Sequence, residues 1–447
     1  MAGPIAGPES VDAGVSAATL SKVLRRIVPF LFACYIVNYL DRVNVGLAAL
    51  SMNKDIGLSP SQFGLGAGLF SIGYFVFQIP SNLILDKVGA RRWLAVILVV
   101  WGIVSASTAM VTGPTSFNVA RFLLGVAEGG FVPGVFFYLG EWFPNQWRAR
   151  ATALFLVAIP VASIVGSPIS GALLTLHEIG GLRGWQWLLI LEGAPAIVLG
   201  VACLFVLVDR PRDASWLDAD ERARLQQRIE AERRDIERTH RYTLGETLWN
   251  ARVLTLAAIN FCAILGGLGV QLWLPQIIKG FGLGNAQVGL LTAVPYVVAG
   301  VVMVLWARRS DRSAHRTRHI TATMLLAAAG LVVAAFVTAP TLSLAALTLP
   351  IVGALAFQAT FWAVPQTFLT GRAAAAGIAL IVSVGNLGGF VGPYLIGRVV
   401  EATDSYKTAL LVLAAFLLLG SLMMTVLGNP ASRAARCAQP SLSRGTD

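Results

Sequence analysis

The chain has 447 residues, 56% of them hydrophobic and only 13% charged, with a mean hydropathy of +0.71, which excludes a soluble globular protein. Its net charge of +11 would suit a nucleic-acid partner, but the basic residues stand between apolar runs, where membrane topology accounts for them and no nucleic acid is needed. Cys34, Cys203, Cys262 and Cys437 are scattered and lack metal-ligand spacing, so neither a disulfide framework nor a zinc site is expected.

The first 20 residues show no basic n-region and cleavage pattern, so no removable signal peptide is expected. Apolar runs then recur nearly end to end, each near the roughly 20 residues that a spanning helix requires. Twelve are predicted, over 25–49, 63–85, 93–112, 117–140, 150–175, 187–208, 252–277, 286–307, 320–339, 343–364, 375–400 and 408–428. Blocks of this length do not suit the roughly ten-residue alternating strands of a membrane barrel, so the fold class is an all-α polytopic membrane protein in two six-helix halves. The organisation is an N-terminal tail (1–24), a first half (25–208), a central loop (209–251), a second half (252–428) and a C-terminal tail (429–447). Segments that would face the cytoplasm hold 27 of the 34 Lys and Arg and the external segments 5, which puts both termini inside. Within the central loop, WLDADERARLQQRIEAERRDIE has helix formers and mixed i,i+4 charges after an Asp-rich start, predicting a surface helix.

The halves repeat. DKVGARR follows the second span with Asp86, Lys87, Gly89, Arg91 and Arg92, and DRSAHRT follows the eighth with Asp311 and Arg312, 225 residues later. VGSPISG in the fifth span echoes VGPYLIG in the eleventh. Paired six-helix halves with a midplane site are the plan of secondary transporters, and no GxxxxGK[ST] loop is present for ATP. No cofactor is expected; the driving force would be a proton gradient.

Four ionisable residues fall at membrane depth: Asp41 and Arg42 in the first span, Arg121 and Glu128 in the fourth. Each costs about 2.5–3.5 kcal/mol at a helix centre, so they must pair or face water. RFLLGVAE places Arg121 and Glu128 two turns apart on one face, whereas Asp41 and Arg42 are turned about 100° from each other and require different partners. Two readings stand, a salt-bridge network locking spans one and four or a substrate and proton site, and the second is favoured because intramembrane charges are functional by default. Arginine does not release its proton and its planar fork suits carboxylates. Arg42 is therefore assigned to a substrate carboxylate, and Glu128 with Asp41 to protons. Tyr74 and Asn386 are cavity ligands or helix-to-helix hydrogen-bonding groups. Gln358 and Trp362 are lining or packing residues, and Glu192 is read as interfacial, near the external end of the sixth span.

The DKVGARR loop resembles the loop signature of the major facilitator superfamily, although Asn82 stands where a glycine is usual. NYLDRVNVGLAAL, GYFVFQIPSNLILDKVGARRW, RFLLGVAEGGFVPG, EWFPNQWRARATALF and GNLGGFVGPYLIG together are similar to its anion:cation symporter family, proton-coupled permeases for organic anions such as tartrate, sugar acids, phthalate and hydroxyphenylacetate. The resemblance implies the major facilitator fold and import of a small organic carboxylate with protons across a bacterial inner membrane, by a protein expected to be monomeric and not an enzyme. It implies Asp41 and Glu128 as proton-coupling acids, Arg121 as partner of the fourth-span acid, Arg42 as the carboxylate ligand, and Tyr39, Tyr74 and Asn386 as cavity residues. Ile159 stands where sugar-acid members carry an amide, leaning toward a less hydroxylated or aromatic acid. A sugar-acid symporter is the first alternative and a drug exporter the second.

Overall fold

The computed structural model describes residues 15–176, 178–238, 250–313, 315–365 and 371–428. The calls on 1–14, 239–249 and 429–447, parts of the tails and central loop, lie outside the described residues. Among the described residues the regular structure is helical throughout. The first half comprises α1 (Ala17–Asp55), α2 (Pro60–Val88), α3 (Ala90–Ser107), α4 (Pro114–Glu128), α5 (Phe131–Trp142), α6 (Asn145–Leu156), α7 (Ala158–Leu173) and α8 (Gly184–Val206). After the surface helix α9 (Ala219–Arg238), the second half comprises α10 (Ala251–Lys279), α11 (Asn285–Asp311), α12 (Arg316–Phe336), α13 (Pro340–Phe361), α14 (Gly371–Thr403) and α15 (Tyr406–Leu427). Eleven passes, with α4–α5 and α6–α7 each counted as one, are long and apolar enough to span a membrane. The 39-residue α1, which carries the Asp41–Arg42 pair, makes the twelfth.

The two broken passes have one cause. A proline ring inside a helix clashes with the carbonyl four residues back. Pro133 addresses Gly129, where α4 gives way to α5, and Pro160 addresses Leu156, the last residue of α6. The first break leaves Glu128 as the last residue of α4, so the same FVPG sequence that interrupts the pass fixes where its carboxylate stands.

The halves meet along α1 with α10, α2 with α14 and α7 with α11. Glycine sets the approach at the end remote from α9: a Cβ on Gly64 would lie 2.5 Å from the Pro393 carbonyl oxygen, and one on Gly289 would lie 2.8 Å from Gly171 Cα. Small residues permitting close backbone contact are the usual device for helix association in lipid, where there is no hydrophobic drive. At the same end Glu401 Oε2 accepts from Ser59 Oγ at 3.0 Å and the Ser61 N–H at 2.9 Å. At the other end α9 buries Leu225 and Ile229, one turn apart, against the first half. Its Glu221 accepts from Lys22 Nζ at 3.0 Å and Thr19 Oγ1 at 2.9 Å, and the Asp218 N–H, followed by Lys22, holds that carboxyl below the usual range.

Candidate functional site

Asp41 and Arg42 diverge as their 100° separation requires. Arg42 Nε lies 3.0 Å from Glu128 Oε2, joining α1 to the end of α4, and Asn38 Nδ2 donates to the same oxygen at 2.8 Å. Glu128 is wholly buried, whereas the Arg42 side chain is one-quarter exposed. Arg42 also lies over the Tyr74 ring at 4.7 Å and the Phe70 ring at 5.4 Å. Arg121, buried in α4, lies over the Phe70 ring at 5.0 Å, so two guanidiniums contact one aromatic ring, whose quadrupole attracts each of them.

Asp41 belongs to a different environment. Trp101 Nε1 donates to its Oδ2 at 2.7 Å, and Ser105 Oγ and Asn44 Nδ2 (3.1 Å) donate to Oδ1. Three donors from α1 and α3 thus hold a carboxylate that is 1% exposed without an ion-pair partner among the described residues.

One expected pairing is corrected. Arg121 does not form the ion pair with Glu128; Arg42 does, because the α4–α5 break places the carboxylate opposite α1. Arg121 Nε is left buried without a hydrogen-bond partner, as are Arg42 Nη2 and Asn386 Nδ2. Two of these three orphaned donors are cationic and share the Phe70 ring. Buried donors without partners are rare enough to need an explanation, and an anion's oxygens would supply the acceptors.

Tyr39 bridges the halves, donating its hydroxyl to Gln271 Oε1 on α10 at 3.0 Å. Gln271 was not singled out from the sequence; an amide within GVQLWLP was the signal. Trp362 packs edge-on against Phe361 at 5.3 Å, and Gln358 is exposed on α13. Ile159 packs against both apolar clusters, the one within the first half and α9 and the one that spans the two halves. Glu192 is another correction: it is not interfacial but 5% exposed, accepting from Ser170 Oγ between α8 and α7, because it lies two turns inside α8 on the face toward α1 and α3.

The loop motif sits at the α9 end. Gly89, at φ +91°, makes the turn between α2 and α3 in a conformation that side-chain-bearing residues rarely adopt. Asp209, also missed from the sequence, accepts the Arg91 N–H at 2.8 Å and so places a negative charge at the start of α3, where the helix dipole favours it. Asp86, Lys87 and Arg92 are exposed. In the second copy Asp311 pairs with Arg316 at 3.8 Å, and Arg312 is exposed.

Two six-helix halves around a buried mixed-charge centre define a secondary transporter. The chain belongs to the Major Facilitator Superfamily, whose family profile matches residues 31–393 and again 256–439; it is a transporter of small organic substrates and not an enzyme. It is 48% identical to the "Putative tartrate transporter" of Agrobacterium vitis over 94% of this chain and 93% of the relative, in keeping with the resemblance to organic-anion permeases. It is 39% identical to the "Quinolone resistance transporter" of Acinetobacter baumannii over 89% of this chain and 92% of that one. Among solved structures, a bacterial homologue of the human lysosomal transporter Spinster, inward-facing and occupied, superposes with a TM-score of 0.75 over 96% of this chain and all of the other at 15% identity, a likeness of fold.

Proposed function

We propose that the protein imports a small organic anion, a dicarboxylate of the tartrate type being the first candidate, by proton symport through alternating access. The observation that carries this reading is the pair of orphaned guanidinium donors, Arg42 Nη2 and Arg121 Nε, over one aromatic ring. Arginine is the side chain best matched to carboxylate. When Asp41 and Glu128 are ionised, the four buried charges cancel; when both are protonated, the arginines present two positive charges, matching a dianion. Proton binding and anion binding thereby require each other. Protonation of Glu128 frees Arg42 Nε for the substrate, and Tyr74 and Asn386 complete the lining.

The charge excess at the α9 end supports a cytoplasmic orientation for that end, and for both termini, in a bacterial inner membrane. The glycine-lined contacts of α2 with α14 and α7 with α11 then close the external side. Moving one charge across 100 mV is worth about 2.3 kcal/mol. Two protons with a dianion are electroneutral, so the pH gradient drives uptake; two with a monoanion add the voltage.

The test is thermal stabilisation of the purified protein by mono-, di- and aromatic carboxylates, in the wild type and Arg42→Ala. A ligand that stabilises the wild type and not the variant is expected; equal stabilisation of both removes Arg42 from the site. The Acinetobacter relative's name favours a second reading, drug export. Quinolone resistance conferred on sensitive cells, with no carboxylate binding, would select it.

A further inference from the structure

We infer that Glu192 is a third proton-binding residue beside Asp41 and Glu128, coupled to Asp41 through Asn44 in a polar file inside the first half and outside the substrate site. The inference rests on the proton-symport reading above.

Ser170 Oγ donates to Glu192 Oε1, while Oε2 is buried with no hydrogen-bond partner. Asn44, fully buried on α1, donates Nδ2 to Asp41 Oδ1 at 3.1 Å, and its own Oδ1 is likewise buried and without a partner. Asn44 and Glu192 stand on helices that pack against each other, α1 and α8. Two unpartnered acceptor oxygens therefore lie buried on two packed helices, one on either side of the α1–α8 contact. One proton on Glu192 Oε2 turns it into a donor to Asn44 Oδ1 and satisfies both.

Among the described residues no basic group forms an ion pair with this carboxyl. Asp41 is the titratable group facing it from α1; α3 presents Trp101 and Ser105, and α7 presents Ser163, Ser167 and Ser170. Arg183, at the start of α8, is committed to Asp55 at 2.9 Å, and Trp185 Nε1 holds the other Asp55 oxygen at 2.8 Å. Arg121 on α4 lies over the Phe70 ring. At 1.5 Å per residue, Glu192, Asn44 and Asp41 lie about 12, 17 and 21 Å from the ends of their helices on the closed side. The file thus steps from that side to the acid at the centre, and its proton travels with the first half as the halves rock.

The ratio of protons to substrate, read in proteoliposomes from the substrate gradient that balances an imposed pH gradient, tests the inference in the wild type, Glu192→Gln and Ser170→Ala. Glu192→Gln keeps the size and gives Asn44 a permanent donor, so the ratio should fall by about one proton. Ser170→Ala should keep the ratio and shift the pH midpoint of uptake. Infrared spectra of the purified wild type and Glu192→Gln, which need no transport, should differ by one protonated-carboxyl stretch. Wild-type coupling with the same ratio in Glu192→Gln and no lost carboxyl band overturns the role of Glu192 alone. A wild type without proton coupling overturns the symport reading as well.

Discussion

Arg42 and Glu128 form an ion pair, Nε to Oε2 at 3.0 Å, between the middle of α1 and the last residue of α4. Its two sides are unequal: the carboxylate is sealed from solvent and the guanidinium is one-quarter exposed. An arriving anion can therefore compete for the arginine, while the acid depends on that arginine or on a proton.

Glu128→Gln removes the proton site while keeping an oxygen to accept from Asn38 and Arg42. The variant is expected to lose accumulation driven by a pH gradient and to retain exchange of labelled for unlabelled substrate. Undiminished accumulation would take Glu128 out of proton coupling.

Arg42→Ala leaves a wholly buried carboxylate without its cation, and removing one partner of a buried pair costs about 3–5 kcal/mol. A clear drop in thermal midpoint is expected together with loss of binding. Adding Glu128→Gln to that variant should recover most of the midpoint and none of the binding, which separates the structural from the ligand role.

Ser105→Ala takes one of three donors from Asp41. Depriving a buried polar group of its partner costs about 1–3 kcal/mol, so a lowered midpoint is expected in unfolding experiments. The loss should be smaller at acid pH, where a protonated Asp41 depends less on its donors. A pH-independent loss would show that Asp41 is already neutral in this environment.

Gly64→Leu would drive a side chain into the Pro393 carbonyl, 2.5 Å from the position of its first carbon. The closed contact of α2 with α14 should then fail, and cysteines placed along α2 should become more reactive from the external side. Reactivity equal to that of the parent would mean that the helices separate without cost and that Gly64 does not set the closure.

The fold was legible because span length and charge asymmetry are properties of continuous sequence, and each apolar run became a helical pass, two of them broken into a pair of helices. The divergence of Asp41 and Arg42 followed from helical geometry alone. The identity of partners did not. Arg121 and Glu128 share a face of α4, but the break imposed by Pro133 ends the helix at the acid and hands it to Arg42. Glu192 looked peripheral because it lies near one end of its span; its burial depends on α1, α3 and α7 closing around it, which sequence spacing along α8 does not encode. Gln271 and Asp209 meet their partners, Tyr39 and the Arg91 N–H, 232 and 118 residues away.

The most direct measurement is uptake of labelled tartrate into proteoliposomes with an imposed pH gradient, acid outside, compared with the same vesicles after the gradient is collapsed. Accumulation above equilibrium that needs the gradient, and that disappears in Glu128→Gln, is the predicted result. Uptake that only equilibrates, indifferent to the gradient across a panel of organic acids, would contradict proton-coupled anion import.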